Sequence, residues 1–264
     1  EAGILFFSRK MKEETQWERS LERDFQNAID NREFEVYLQP VFDVETEKAV
    51  AAEAVARWNR LSEGFLTEER FVPVLEKSGC INKLDDYMIR EIARIQADRI
   101  ERDLPIVPVS VKISRHHFVD DNLAQHIADI VDQYNIPREY IEIELTEDAF
   151  FEEKEILVKT IQQLKQMEFV VVLDEFGSGY SSLKSIIELP VDILKMDLKF
   201  LDNDQEKGRL ILKALIEMAQ NMELHVVVEG VEFLPQVEFL SKFKDCLLQG
   251  FYFSRPIMTN ELEA

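Results

Sequence analysis

Cysteine and histidine are scarce in this chain. Two Cys (Cys80, Cys246) and four His in 264 residues rule out a disulfide scaffold, and their spacing matches no Cys/His metal motif. Two buried free thiols suit a reducing cytosol. Eight Gly and eight Pro are too few for a low-complexity chain. No apolar run reaches the roughly 20 residues of a transmembrane helix, and no signal-peptide pattern is visible. Positive charge is also short, with 31 Lys+Arg against 52 Asp+Glu and a net charge of −21. That balance excludes non-specific binding to a nucleic-acid polymer or an anionic membrane. A small anionic ligand remains compatible if a metal or a few placed cations receive it. The chain begins with Glu, which suggests a piece of a longer protein, either cytoplasmic or the cytoplasmic part of a membrane-anchored one.

Apolar residues, by contrast, are plentiful: 46% of the chain, 18 Phe among them. They recur in a β-α rhythm. Strands are expected near 35–42, 48–57, 106–113, 140–145, 169–174, 191–196, 224–229 and 247–250. Helices are expected near 67–78, 81–103, 116–134, 154–167, 182–188, 205–222 and 234–241. Eight strands with helices after most of them indicate an α/β protein, a modified (β/α)8 TIM-like barrel, whose usual size is about 250 residues. The direct turn between the first two strands makes one strand antiparallel. Residues 12–31 form an amphipathic helix, with Trp17, Leu21, Phe25 and Ile29 on one face, expected beneath the barrel. The division is therefore an N-terminal linker and helix, 1–31, and a barrel domain, 32–264.

Barrel enzymes carry their chemistry at the C-terminal ends of the strands. Here those ends bear Lys112, Glu144, Asp174, Lys195, Glu229 and Gln249, with Glu53 and Arg57 in the second strand and Gln39 near the end of the first. Strand alternation puts Val109, Val111 and Ile113 toward the helices, so Ser110 and Lys112 face inward. It likewise turns Glu142 and Glu144 inward. Charges driven into a barrel are costly unless they are paired or bind an ion. Six charged or polar strand ends on one rim therefore mark a functional site. The segment FVVVLDEFGSGYSS (169–182) joins an apolar strand, two adjacent acids, a glycine-containing turn and a helix start.

These residues resemble the EAL-domain phosphodiesterases of cyclic di-GMP. The likeness runs from about Phe34 to Ile257 through YLQP (37–40), AEAVARW (52–58), FVPVLEKSG (71–79), ELTE (144–147), DEFGSGYSSL (174–183), LPVDILKMD (189–197), VVVEGVE (226–232) and QGFYFSRP (249–256). The opening EAGILFFSRKM is similar to the linker that joins a GGDEF domain to an EAL domain. The resemblance implies a two-metal site of Mg2+ or Mn2+, water attack on a phosphodiester and release of linear pGpG. It places the metals on Glu53, Glu144, Asp174, Glu175 and Glu229, with Lys195, Glu53 and Asp174 catalytic. Gln39, Arg57, Gln249 and Asp197 would bind the nucleotide, and Glu147 would brace the loop 176–180.

Three departures stand out. Glu-Ala-Leu reads Glu53-Ala54-Val55, an apolar swap. The paired aspartates are Asp174-Glu175, which lengthens one ligand by a methylene where Mg2+ tolerates little. The asparagine ligand of the third strand is Lys112, an ammonium with donors only. Lys112 is expected to sit among Glu53, Glu144 and Asp174 in place of the first metal, or to swing to an exposed acid and leave room for it. The leading reading is a catalytically impaired, nucleotide-sensing or regulatory EAL domain that needs no cofactor. The alternatives are an active Mg2+ or Mn2+ phosphodiesterase, or an interaction domain without ligand. A homodimer would use the loop and helix after Glu175.

Overall fold

A computed structural model describes residues 9–152, 154–176, 183–198 and 205–262. Among them are ten strands in one sheet, ordered β10-β1-β9-β8-β7-β6-β5-β4-β2-β3, with β1 also paired to β2. That extra pairing closes eight strands into a barrel: β1 (Phe34–Asp43), β2 (Lys48–Arg60), β4 (Val109–Lys112), β5 (Ile141–Thr146), β6 (Val170–Phe176), β7 (Ile193–Asp197), β8 (His225–Glu229) and β9 (Cys246–Gln249). The strands from β2 through β4 to β9 run parallel, while β1 is antiparallel to both neighbours. The expected barrel with one antiparallel strand is what forms. Two short edge strands, β3 (Gly64–Thr67) and β10 (Ile257–Met258), extend the sheet outside the ring and were not foreseen.

The strand β1 contains Pro40, which cannot donate to a ladder. The register of β1 on β2 shifts at the next step, between Val41 and Phe42, so the proline sits beside an irregularity that tolerates it. The parallel strands read as near-continuous apolar runs because both faces are covered. Ile141, Ile143, Val171, Leu173, Leu194, Val226 and Val228 are all fully buried.

Helix α1 (Arg9–Asp30) buries Leu21, Phe25 and Ala28, as its apolar spacing requires. It does not lie beneath the barrel. Phe25 meets Phe34 and Trp58, where β1 starts and β2 ends, at the level of the mouth. Phe71 of α2 (Glu68–Ser78) and Tyr87 of α3 (Ile81–Glu101) complete this aromatic cluster, with Phe34 and Trp58 centroids 4.9 Å apart. The Tyr87 hydroxyl donates to the Phe34 carbonyl at 2.8 Å, which ties α3 to the start of β1. No described helix is long and apolar enough to cross a membrane.

After β9 the chain turns at Gly250, against the backbone of Val231. The Val231 amide donates to Gln249 O at 3.1 Å, and the Tyr252 amide donates to Val231 O at 2.9 Å. A Cβ on Gly250 would overlap the Val231 backbone, which cannot swing aside. Gly250→Ala is therefore expected to destabilise the barrel by about 2–3 kcal/mol in urea unfolding. A variant as stable as the parent would contradict this packing.

Candidate functional site

Period-2 alternation would send neighbouring acids to opposite faces of a strand. Asp174 and Glu175 escape that rule because Glu175 takes a left-handed backbone (φ 55°) at the point where the β6–β7 register shifts. Asp174 thus stays buried in the barrel and Phe176 in the outer layer, while Glu175 stands half-exposed at the mouth. The register sets Lys112 beside Glu144 and Thr146 beside Asp174, which brings the strand ends to one rim.

The centre of the site is Lys195. Its buried Nζ lies 2.8 Å from Glu53 Oε2, 3.1 Å from Glu144 Oε2, 3.7 Å from Asp174 Oδ1 and 3.7 Å from Glu229 Oε2. Burial works against the ammonium, but these four acids outweigh it and hold the amine protonated. Glu53 Oε2 also accepts from Gln249 Nε2 at 2.7 Å, and Glu144 Oε2 from Ser110 Oγ at 2.8 Å.

Lys112 takes a different post from the one expected. The cation between Glu53, Glu144 and Asp174 is Lys195, because that side chain enters from inside the wall opposite Glu53. Lys112, on the last residue of β4, reaches outward over Asp174. Its Nζ lies 2.9 Å from Asp174 Oδ2 and 3.5 Å from Glu175 Oε1. Desolvation opposes its charge, but Asp174, Glu144, Glu175 and Glu53 together raise its pKa. The side chain is 41% exposed, so solvent screens this pairing more than that of Lys195.

The two cations split the acids. Burial pushes Asp174 up, but Lys195, Lys112 and the Glu175 amide (2.7 Å from Oδ1) prevail and hold it well below the usual carboxylate range. Glu144 is fully buried and pushed well above its ordinary value, only partly offset by Lys195. Burial also lifts Glu229 to about 8, against Lys195 and with Asp174 and Glu53. Oxygen donors remain: Glu144 Oε1 and Gln249 Oε1 are buried without a hydrogen-bond partner. Asp174 has neither oxygen free, since Oδ1 holds the Glu175 amide and Oδ2 holds Lys112.

Other expected residues fall nearby. Gln39 is Glu53's register partner on β1. Arg57 lies four residues mouthward of Glu53, with Nη1 donating to Ala56 O at 3.0 Å. Asp197 ends β7 in register with Glu229, and its Oδ1 sits where a Cβ on Gly230 would be 3.2 Å away. Glu147 is buried and accepts from Ser185 Oγ at 2.8 Å, so it braces helix α7 (Leu183–Glu188). Of the loop it was expected to hold, 176–180, residues 177–180 lie outside the described residues. Glu68 was not foreseen. It opens α2, accepts the Ala56 amide at 2.6 Å and is lifted by burial to about 7. An acid in the first turn of the helix after β2 was its only sequence signal. It lines a cleft of about 450 Å³ with Glu76, Lys112, Arg115 and Glu175, beside the buried acids rather than over them.

Comparison with known proteins places this geometry. The model of the EAL domain family matches residues 22–256. The oxygen sensor protein DosP of Escherichia coli (strain K12) is 32% identical over 98% of the chain and 33% of its own length. The cyclic di-GMP phosphodiesterase NbdA of Pseudomonas aeruginosa is 30% identical over 98% of the chain and 33% of its own length. The chain thus spans about a third of the length of these relatives. A solved structure of the PaMucR phosphodiesterase in complex with c-di-GMP aligns with a TM-score of 0.85 at 26% identity, covering 92% of this chain and all of that one.

Below the acids, Glu142 faces a cavity of about 190 Å³ at the barrel floor, shared with Ser110, Lys195 and Gln249. Burial lifts its carboxyl from 4.5 to about 7, with Lys195 opposing. The folded chain therefore holds a proton that the unfolded chain releases, and stability falls as pH rises from about 4.5 through 7. Glu142→Gln removes that loss. Urea unfolding should show the variant gaining about 1–3 kcal/mol on the parent between pH 5 and pH 8. A difference independent of pH would contradict the assignment.

Proposed function

The chain belongs to the EAL domain family of cyclic di-GMP signalling, and from that premise we propose that it is a catalytically impaired member that binds the nucleotide and works as a sensing or regulatory module. One observation carries the reading: Lys112 Nζ lies 2.9 Å from Asp174 Oδ2. Asp174 is the acid that the family resemblance assigns to both metals, and a protonated lysine offers no lone pair to an ion. The barrel interior has hard-oxygen chemistry suited to Mg2+ or Mn2+, with Glu144 Oε1 open to accept. With Asp174 capped and Glu175 longer than aspartate, the residues present do not fit a bridged pair of such ions. At the few ångströms that separate them, an ammonium and a divalent ion would repel by several kcal/mol at an intermediate dielectric, roughly.

Nucleotide binding rests on different residues. Gln39, Arg57, Gln249 and Asp197 keep the polar set expected to contact the base and phosphates, and Lys112 itself supplies a cation at the mouth. The relatives named as cyclic di-GMP phosphodiesterases and the c-di-GMP complex of PaMucR support the choice of ligand. A bacterial second messenger of this kind fits a cytoplasmic setting. On α7, Leu183 and Ile187 are 53% and 73% exposed, which supports a homodimer face after Glu175.

Calorimetric titration should show cyclic di-GMP binding that Mg2+ and Mn2+ leave unchanged, and incubation should yield no pGpG above background. Lys112→Asn combined with Glu175→Asp should bring metal-dependent turnover at least about tenfold above the parent. Rapid turnover by the unmodified chain would overturn the impairment. Absence of nucleotide binding with or without metal would favour an interaction domain instead.

A further inference from the structure

Apart from the barrel acids, three elements bring two histidines and an aspartate together. His126 Nε2 of α4 (Leu123–Asp132) lies 2.8 Å from Asp86 Oδ1 of α3, and His117 Nε2 lies 4.0 Å from the same oxygen. His117 sits in the short 3-10 turn Arg115–His117 that follows β4. A potential ligand atom from each of the three residues lies within 4.8 Å of the others. Two of the chain's four histidines, unremarkable in their spacing, thus converge in space.

Asp85 makes the cluster more than a chance meeting. It is buried, and its Oδ2 lies 3.3 Å from His117 Nδ1 and 3.0 Å from the Ser114 amide, which donates to it. A carboxylate on Nδ1 fixes that nitrogen as the donor and leaves the Nε2 lone pair turned toward Asp86 and His126. This is the arrangement by which a carboxylate orients and strengthens a metal-ligating imidazole. Burial grades from His117 through Asp86 to the more open His126, so an ion could enter from the solvent side and keep a water.

We propose that Asp86, His117 and His126 form a binding site for a divalent transition metal of the Zn2+ class, with Asp85 as its positioning residue. Two imidazoles and one carboxylate select such borderline ions over Mg2+ or Ca2+. Bonds of about 2.0–2.1 Å in tetrahedral geometry need ligand atoms about 3.3 Å apart. The 2.8 Å separation must open by roughly 0.5 Å, within reach of the open His126 ring, and the 4.0 Å one close by roughly 0.7 Å, within reach of the partly exposed Asp86 carboxylate. A bound ion would clamp α3, α4 and the turn after β4, the strand that carries Lys112.

Equilibrium dialysis with Zn2+ followed by metal analysis tests this on the intact chain. One ion per chain is expected in the unmodified protein and in Glu144→Gln, which alters only the barrel acids. His126→Ala, at an open helix position, should weaken uptake at least tenfold, and Asp85→Asn by about 10- to 100-fold. Co2+ should give tetrahedral ligand-field absorption that His126→Ala abolishes. No uptake by the unmodified chain, or uptake that His126→Ala leaves unchanged, overturns the site. An unchanged affinity in Asp85→Asn overturns its positioning role.

Discussion

One ammonium organises this barrel. Lys195 is buried within 3.7 Å of Glu53, Glu144, Asp174 and Glu229, which come from four other strands. Any of these carboxylates, isolated in the interior, would cost several kcal/mol to keep ionised, roughly. Lys195 offsets that cost for all of them at once, and Ser110 and Gln249 satisfy part of what remains. The offset is incomplete. Glu144 and Glu229 are displaced toward the neutral form, whereas Asp174, which has a second cation, stays firmly ionised.

That second cation decides the functional reading. Lys112 stands at the rim, where its charge is partly screened, and still takes the outward oxygen of Asp174. The result is five acids facing two ammoniums, with Asp174 engaged by a lysine and a backbone amide. On the proposed reading, this contact puts an ammonium where an ion at the mouth would meet Asp174. Gln39, Arg57 and Asp197, the polar residues assigned to the nucleotide in the proposed reading, are not among the side chains that hold Lys112, whereas Gln249 is tied to Glu53 at 2.7 Å.

Much of this was legible in the sequence, for identifiable reasons. Long apolar runs and their spacing gave the eight ring strands, and alternation gave the inward face of Ser110, Glu142 and Glu144. Strands β3 and β10, of four and two residues, are too short for any period to show. Alternation tells which face a lysine takes but not how far it reaches. That is why the cation found among Glu53, Glu144 and Asp174 is Lys195 rather than the expected Lys112. Asp86, His117 and His126 lie on separate elements, so only folding reveals their proximity. Glu68 looked like an ordinary first-turn acid, and its bond to the Ala56 amide depends on how α2 lies against β2.

The central claim is that lysine, rather than a metal, occupies the outward side of Asp174. Crystals grown with excess Mn2+ and measured at the manganese absorption edge test it directly. The account predicts an ordered Lys112 side chain with its Nζ about 2.9 Å from Asp174 Oδ2 and no anomalous peak among the barrel acids. A manganese peak bridging Glu144 Oε1 and Asp174, with Lys112 swung away, would contradict it.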